Sequence, residues 1–331
     1  MRVILKAEMF ACQHINQLDL ISLIKLGFDC RHLIQVEPLD ANEVSNWLDK
    51  QSDDIRDECE WVFESGYSLD RDEYGQFSPL TIQVADVDKP QWLLKVPVLP
   101  LKIALKFLAQ DFIIFVENRR NDSAFLRATA TGWRKDKLEE LLKNGGIKFE
   151  GGGGIGEILK WIEEIANFPE KCQRSFALFD SDALKPNKPS KQSTKIVTAC
   201  KEIIPYHQLK RRAIENYLPY GVLSAWMGMN VHQKIQDVSK KNIVNAFKQL
   251  SYEQRHHFNM KKGFKADENK DVGDFYDNIS NEVKKTLEHG FGDDIAELFK
   301  EQQFKIQEDW LLKDNLTEEL NPMLEKLLSL V

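Results

Sequence analysis

Two short apolar segments of this chain each end in carboxylates, and this pattern restricts the possible folds more than any other feature. Asp111–Asn118 reads DFIIFVEN and ends with Glu117, whereas Ser175–Asp182 reads SFALFDSD and ends with Asp180 and Asp182. Apolar runs of this length are typical of strands buried on both faces of a parallel sheet. Open α/β sheets bind their ligands at the carboxyl ends of such strands. The pattern therefore predicts a parallel sheet with functional residues along one edge.

The segments between and after these runs complete an α/β unit. A helix is predicted to follow DFIIFVEN, with Asn121 or Asp122 as its cap. The stretch GGIKFEGGGGIGEILKWIEEIANF predicts a strand, a glycine-rich turn and an amphipathic helix. After SFALFDSD, a helix around Ile196–Glu202 and an edge strand at IIPYHQL are predicted. This alternating order implies parallel strands with right-handed crossovers.

The patterns divide the chain into three predicted parts. Residues 1–105 form a mixed, mainly helical N-terminal domain, and residues 106–265 form the α/β catalytic domain. Residues 266–331 form a helical C-terminal extension with a break at Pro322.

Within the N-terminal part, two helical patterns and one strand pattern are recognised. Leu18–Phe28 has helical apolar spacing, and ANEVSNWLDKQSDDIRDECEWVFESGY repeats that spacing on an acidic face and ends near Gly66. Leu80–Val87 alternates as a strand does. Neither helical pattern brings catalytic residue types together, so we expect no chemistry in this part.

Bulk properties exclude several classes of protein. The net charge is −7, which argues against a generic basic nucleic-acid-binding protein. The apolar runs are shorter than the roughly 18 residues that a membrane helix needs, and the start MRVILKAEMF lacks a signal-peptide layout. We therefore expect a cytoplasmic protein without a membrane partner. The cysteines are scattered without a Cys-x-x-Cys pair, which favours reduced thiols over a zinc site or disulfides. They are Cys12, Cys30, Cys59, Cys172 and Cys200.

The acidic residues at the two strand ends suit a divalent metal. Asp180 and Asp182 occupy alternate positions, so both carboxylates can face the same side. An isolated Asp-x-Asp often only caps a turn, and a single Glu such as Glu117 is equally common at a strand end. Their combination on neighbouring strands predicts an all-oxygen site for Mg²⁺ or Mn²⁺.

The order of a strand ending in Glu, a glycine-rich turn and a strand ending in Asp-x-Asp resembles the Toprim fold. Topoisomerases, bacterial primases and OLD-family (overcoming lysogenization defect) nucleases share this fold. The resemblance covers about Asp111–Pro219 and is carried by DFIIFVENRRNDSAFL, FEGGGGIGEILKWI and SFALFDSDA. KRRAIENYLP (Lys210–Pro219) is similar to a segment of OLD-like Toprim nucleases in which Arg-Glu-x-Glu-Asn-Tyr-Leu is common. The resemblance therefore implies a Toprim-like parallel sheet of the OLD-like branch.

The resemblance also implies roles for individual residues. The implied metal ligands are Glu117, Asp180, Asp182, Glu215 and Asp122. NMKKGFK resembles the downstream lysine segment of this branch, so Lys261 or Lys262 is implied to stabilise a phosphate or leaving oxygen.

Two departures from the family pattern weaken part of this assignment. The family usually has an acidic residue four positions after its Glu, where this chain has Asn121 and places the acid one residue later, at Asp122. Ala213 replaces the first Glu of the Arg-Glu-x-Glu stretch. Asp122 can therefore bind metal through a shifted helix start or only cap the helix, and the choice between one and two ions depends on Asp122 and Glu215.

The function that the resemblance implies is an Mg²⁺- or Mn²⁺-dependent endonuclease, acting on DNA or on RNA such as tRNA. Standalone OLD-like Toprim proteins are often antiphage effectors controlled by an ATPase partner. GGGGIGE lacks the Gly-Lys-Ser/Thr ending of a Walker A motif, so a separate ATPase subunit is expected.

Two other functions stay open at this point. A topoisomerase or primase is disfavoured, because the chain is short and has no zinc-ribbon cysteine pattern. A non-catalytic Toprim binding or scaffold module is compatible with the shifted Asp122 and with Ala213. Basic residues near the acidic ones can contact phosphates or form solvated helix faces. They are Arg119, Arg120, Lys210, Arg211 and Arg212.

Overall fold

The computed structural model of this chain describes residues 1–28, 32–38, 40–72, 80–228, 238–301 and 305–331. Within these residues the chain is an α/β protein with two four-stranded parallel sheets. Cys30 lies outside the described residues. None of the described helices combines the length and the apolar composition that a membrane span requires.

The first sheet has the strand order β2-β1-β3-β4. Its strands are β1 (Arg2–Lys6), β2 (Leu33–Glu37), β3 (Thr81–Val84) and β4 (Val98–Leu99). Helices connect the strands and cover the sheet. They are α1 (Glu8–Ala11), α2 (Gln17–Lys25), α3 (Asn42–Leu48), α4 (Asp53–Asp72) and α5 (Leu101–Leu108). The hydrophobic core formed by these elements runs from Met1 to Leu108.

The predicted strand at Leu80–Val87 corresponds to β3, but the expectation of a mainly helical N-terminal domain missed β1, β2 and β4. β1 alternates, with Val3 and Leu5 fully buried, yet it is too short to stand out from helical spacing. The predicted helix stop near Gly66 is wrong, because α4 continues to Asp72. Gly66 instead allows close packing on β2, since a Cβ there would overlap the carbonyl oxygen of Ile34.

The second sheet has the order β6-β5-β7-β8 with every pair parallel. Its strands are β5 (Phe112–Phe115), β6 (Ile147–Glu150), β7 (Ser175–Phe179) and β8 (Tyr206–Gln208). All five residues of β7 are buried, as a central parallel strand requires. The parallel βαβαβ unit predicted for this region is therefore confirmed, including the edge strand at IIPYHQL.

The predicted helices between these strands are present, and two helices that were not predicted, at Gly132–Lys143 and Pro169–Gln173, accompany them. They are α6 (Arg119–Thr129), α7 (Gly132–Lys143), α8 (Ile155–Ile165), α9 (Pro169–Gln173) and α10 (Lys191–Cys200). The helix predicted around Ile196–Glu202 begins earlier, because the Ser190 side chain accepts a hydrogen bond from the Ser193 N–H and caps α10.

The C-terminal third is helical and packs against the second sheet. It contains 3₁₀ helices at Ile214–Tyr217, Phe264–Asp267 and Asp293–Phe299. Its α-helices are α11 (Tyr220–Gly228), α12 (Val238–Lys248), α13 (Tyr252–His257), α14 (Asn281–Thr286), α15 (Glu308–Lys313) and α16 (Thr317–Leu330). One core joins Phe112 and Ile114 of β5 to Leu324 and Leu327 of α16. The break predicted at Pro322 is wrong, because α16 continues through that residue.

The strand order creates a topological switch point between β5 and β7. From β5 the chain crosses to β6 on one side, and the following strand, β7, lies on the other side of β5. Such a reversal leaves a crevice beyond the carboxyl ends of the two strands, because the connections leave in opposite directions. Glu117 and Asp180 follow these two strand ends.

Candidate metal centre

Glu117 and Asp180 meet directly at the switch point. The Asp180 N–H donates a hydrogen bond to Oε1 of Glu117, with 3.0 Å between the two atoms. Burial, with smaller contributions from the nearby carboxylates of Asp182 and Asp122, raises the pKa of Glu117 to about 8 against the lowering effect of this hydrogen bond. The fold therefore brings the predicted pair together and makes the charged form of Glu117 costly.

Asp180 accepts hydrogen bonds on two sides, one from a backbone N–H and one from a serine hydroxyl. Its Oδ1 accepts a hydrogen bond from the Ile214 N–H at 3.1 Å, and its carbonyl oxygen accepts one from Oγ of Ser193 at 2.7 Å. Burial, followed by the nearby carboxylates of Glu117 and Glu215, raises the pKa of Asp180 well above its usual range. Asp180 is thus a fixed, poorly solvated carboxyl group.

Asp182 lies on a turn rather than on an extended strand end. Its φ is 50°, and its N–H donates to the Arg212 carbonyl oxygen at 2.9 Å. Aspartate tolerates this left-handed conformation better than most residues do. Burial raises the pKa of Asp182, while Arg212 opposes the shift. The simple alternation of a strand does not hold at Asp182, yet the residue still faces the same cleft as Asp180.

Asp122 stabilises the start of α6 from inside the protein, although it is not the N-cap residue. Its Oδ2 accepts a hydrogen bond from the Asn118 N–H at 2.8 Å, while the Asn118 side chain accepts bonds from the Arg120 and Asn121 N–H groups. The helix cap is therefore Asn118, which corrects the predicted choice of Asn121 or Asp122. Burial raises the pKa of Asp122 to about 7. Asp122 is close enough to raise the pKa of Glu117, but it does not line the cleft.

Glu215 lies at the bottom of the cleft and is paired with a lysine. Its side chain is 2% exposed, and its Oε1 lies 2.8 Å from Nζ of Lys261. Burial alone would lower the pKa of Lys261, but Glu215, Asp180 and Asp122 outweigh it and raise that pKa. Lys261 therefore stays charged and balances part of the negative charge of the site.

The cleft that these residues line has a volume of about 500 Å³. Lys262 is exposed on its wall, and its backbone N–H donates to Oδ1 of Asn259 at 2.9 Å. The other lining residues come from the Asp-x-Asp turn, the 3₁₀ helix after β8 and the lysine segment. They are Glu117, Asp180, Asp182, Arg212, Ala213, Glu215, Asn216, Asn259, Met260, Lys261, Ala266 and Lys270.

The glycine-rich turn packs beside the site but does not line the cleft. Gly151 has φ 131°, and a Cβ at this position would overlap the carbonyl oxygen of Val116, next to Glu117. Gly152 also has a positive φ, 147°, but a Cβ there would meet open space. Gly151 is therefore needed for the close approach of the exits of β5 and β6.

The predicted phosphate contacts of the Arg211 and Arg212 pair are not available at the surface. Arg211 is buried and donates to the carbonyl oxygens of Asn216 and Asp314. Arg212 forms a bidentate ion pair with Asp267, in which Nη2 of Arg212 lies 2.9 Å from Oδ1 of Asp267. Both arginines hold the backbone around the site. Arg119, Arg120 and Lys210 are exposed.

The ion pair between Arg212 and Asp267 is a structural contact that the sequence did not reveal. The two residues are far apart in the chain, and their pairing depends on how the 3₁₀ helix at Phe264–Asp267 folds back onto the segment after β8. No local spacing signals such a pair. Lys270 adds a second contact to Oδ1 of Asp267 at 3.0 Å.

The carboxyl groups are gathered but not yet arranged as a set of metal ligands. Among the described residues, Glu117, Asp180 and Asp182 do not offer three oxygens that all lie within 4.8 Å of one another. The reason lies in their hydrogen bonds, since Glu117 and Asp180 each direct one oxygen to a backbone N–H group. Side-chain rotation would be needed for all three to hold one cation.

Comparisons of the chain with protein-family models, curated proteins and solved structures found no match.

Proposed function

We propose that this protein is an Mg²⁺- or Mn²⁺-dependent endonuclease that hydrolyses phosphodiester bonds of DNA or RNA. The observation that carries the proposal is the convergence of Glu117, Asp180 and Asp182 on one cleft at the switch point of the second sheet. Ligands bind at this place in open α/β sheets, and buried carboxylates of raised pKa often mark functional sites.

The donor set fits a hard divalent cation. The nearby side chains of Glu117, Asp180, Asp182 and Glu215 supply oxygen donors only, as Mg²⁺ and Mn²⁺ prefer. Lys261 is the cation paired directly with one of these four. The pKa values of Glu117 and Asp180 are raised because too little positive charge is nearby to stabilise their ionised forms. A divalent ion would supply that charge. Glu117, Asp180 and Asp182 would hold the ion, with Glu215 in support.

A bound ion would activate water and offset the charge that builds on the phosphate oxygens during hydrolysis. The protein's own residues have separate tasks around it. Lys261 pairs with the buried carboxyl group of Glu215, and Lys262 is positioned on the cleft wall to bind a substrate phosphate. Asp122 fixes the start of α6 and thereby the position of Glu117, so we assign it a positioning role instead of metal ligation.

The finer part of the proposal rests on the resemblance to OLD-like Toprim nucleases. On that basis the protein would act in the cytoplasm as an antiphage effector that a separate ATPase subunit controls. A non-catalytic Toprim scaffold is the second candidate. The observation that favours it is the hydrogen bond that Asp122 accepts from the Asn118 N–H outside the cleft, which leaves fewer carboxylates for a second ion.

A cleavage assay with matched variants tests the proposal. The purified chain is incubated with Mg²⁺ or Mn²⁺ and with supercoiled DNA, single-stranded DNA or total tRNA. We expect cleavage of at least one substrate and a loss of roughly 100-fold or more in Asp180→Asn and Asp182→Asn, because each replaces a carboxylate that would hold the ion with a neutral amide. Asp111→Asn, an exposed substitution at the other end of β5, should keep full activity.

The thermal melting of the same samples separates the remaining outcomes. If no substrate is cleaved but Mn²⁺ raises the melting temperature of the wild type and not of Asp180→Asn, the metal site stands and a nuclease that needs its ATPase partner is the better hypothesis than the scaffold. If cleavage is absent and Mn²⁺ stabilises both proteins equally, the nuclease proposal is wrong.

A further inference from the structure

A second group of ligand side chains lies on the first sheet, in the part of the chain where the sequence indicated no chemistry. Nε2 of His14 lies 2.9 Å from Oδ2 of Asp86 and 3.2 Å from Sγ of Cys12. The same Sγ lies 3.5 Å from Oδ2 of Asp86. Among the described residues, this is the group of three that brings one ligand atom each within 4.8 Å of the others.

The position of the group matches that of the carboxylates on the second sheet. The order β2-β1-β3-β4 places a switch point between β1 and β3, because β2 and β3 lie on opposite sides of β1. Cys12 and His14 follow β1 by way of α1, and Asp86 follows β3 directly. The cluster therefore lies at the edge where an open parallel sheet receives its ligands.

The contacts favour a shared ligand over a nucleophilic triad. In such a triad, the thiol and the carboxylate contact opposite nitrogens of the imidazole, and the ring lies between them. Here Sγ of Cys12 lies 3.2 Å from Nε2 and 3.4 Å from Nδ1 of His14, and it also lies 3.5 Å from Oδ2 of Asp86. Because the thiol and the carboxylate contact each other as well as Nε2, the ring does not lie between them. Three donor atoms that face a common point are instead the arrangement of ligands around a cation.

The distances and the donor types favour zinc. With usual bond lengths in a tetrahedral site, sulfur, nitrogen and oxygen ligands of Zn²⁺ are separated by roughly 3.3–3.6 Å. The separations of 2.9, 3.2 and 3.5 Å need to widen by only a few tenths of an ångström. Thiolate and imidazole donors suit Zn²⁺ and exclude Mg²⁺, which selects oxygen.

We propose that Cys12, His14 and Asp86 bind one Zn²⁺ ion, with water in the fourth position. The side chains of His14 and Asp86 are 74% and 44% exposed, so solvent reaches the site. The thiol of Cys12 loses its proton to solvent on binding. The ion would tie the segment after α1 to the loop after β3. The cysteine spacing did not predict the site, because it holds one cysteine and its carboxylate lies 72 residues from His14.

Cobalt binding tests the site in the full-length protein under reducing conditions. Co²⁺ bound to a thiolate gives a ligand-to-metal charge-transfer band in the near ultraviolet, which carboxylate binding at the other site does not give. We expect this band in the wild type and its displacement by one equivalent of Zn²⁺. Loss of a residue that hydrogen-bonds to a metal ligand typically weakens metal binding about 10- to 100-fold. Loss of a ligand itself, in Cys12→Ser or His14→Ala, should therefore weaken binding at least roughly 100-fold.

Matched controls guard against misfolding and against other sulfur ligands. Cys172→Ser removes another half-buried free thiol, and Asp88→Asn removes an exposed carboxylate close to Asp86. Both should keep the band, whereas Asp86→Asn should weaken Zn²⁺ binding. The melting temperature without metal should be similar in all variants. Absence of the band in the wild type, or its persistence in Cys12→Ser, overturns the proposal.

Discussion

The N–H of Asp180 donates to Oε1 of Glu117 at 3.0 Å, and this bond links the ends of two neighbouring parallel strands. It satisfies one oxygen of a carboxyl group that burial has largely removed from water. One backbone hydrogen bond does not replace the lost hydration of a charge, so the pKa of Glu117 stays at about 8. The bond thus joins the two strand ends, while the burial of Glu117 makes its carboxyl group harder to ionise.

The metal-free protein should lose stability as the pH rises from 4.5 to 8. Because the pKa of Glu117 is higher in the folded state, the folded protein holds a proton that the unfolded chain has released in this window. The stabilising contribution of protonated Glu117 is therefore complete below pH 4.5 and is lost as the pH rises through about 8. A difference of one bound proton between the folded and unfolded states changes the free energy of unfolding by about 1.4 kcal/mol per pH unit. Urea unfolding with EDTA across this range measures the slope.

Glu117→Gln should flatten this slope, because the amide does not titrate. Asp111→Asn, exposed at the amino end of β5, should keep the slope of the wild type. Saturating Mn²⁺ should also flatten the slope in the wild type, since a bound cation favours the ionised form. An unchanged slope in Glu117→Gln would mean that the Glu117 carboxyl is already charged at neutral pH.

The parts of the site that could be predicted are those encoded by short segments. The runs that end in Glu117 and in Asp180 are buried strands, and the parallel order follows from the helices between them. Their convergence follows from the order alone, because neighbouring parallel strands end at one edge. The position of Asp182 could not be predicted, since its left-handed turn depends on the bond to the Arg212 carbonyl oxygen.

Long-range pairings account for most of what the sequence did not reveal. Arg211 and Arg212 belong to a basic run that is typical of a phosphate-binding surface, yet their partners come from distant segments and bury both. β1 and β2 escaped prediction because each is five residues long. A strand of that length becomes stable only when its neighbours in the sheet pair with it.

Lys261 and Lys262 should differ in what they contribute, although they are adjacent. Lys261→Met leaves Glu215 buried without its cation and should lower the free energy of unfolding by about 2–4 kcal/mol, below the full cost of breaking a buried pair because Lys261 is 38% exposed. Lys262→Met should change stability by no more than about 0.5 kcal/mol. Urea denaturation of both variants measures this difference.

Binding to single-stranded oligonucleotides supplies the complementary readout for Lys262. The Lys262→Met substitution should weaken binding for all sequences and lower the slope of log affinity against log salt by about 1. Fluorescence anisotropy over a series of salt concentrations provides both values. Normal binding by Lys262→Met, or normal stability of Lys261→Met, would contradict the roles assigned to the two lysines.

The Arg212–Asp267 pair should control both stability and the shape of the site. Both side chains are 8% exposed, so Arg212→Met leaves the buried carboxylate of Asp267 with only the half-exposed Lys270 as its cation. The substitution should cost somewhat less than about 3–5 kcal/mol, the cost of a fully unpaired buried charge. The Arg212 carbonyl oxygen also accepts the bond from Asp182, so displacement of this segment should weaken Mn²⁺ binding. Calorimetric Mn²⁺ titration and urea unfolding test both effects. Arg119→Met, on the exposed first turn of α6, serves as the control and should change neither value.

Gly151 and Gly152 form a matched pair for testing the close approach beside Glu117. Both have a positive φ, but only at Gly151 would a Cβ overlap a backbone atom, the carbonyl oxygen of Val116. Gly152→Ala should therefore cost only the conformational strain, about 1–3 kcal/mol, while Gly151→Ala should cost more because the exits of β5 and β6 must separate. This separation moves the backbone next to Glu117, so Gly151→Ala should also weaken Mn²⁺ binding, whereas Gly152→Ala should leave it unchanged. Equal losses of stability and equal Mn²⁺ affinities in the two variants would show that the contact with Val116 does not position the site.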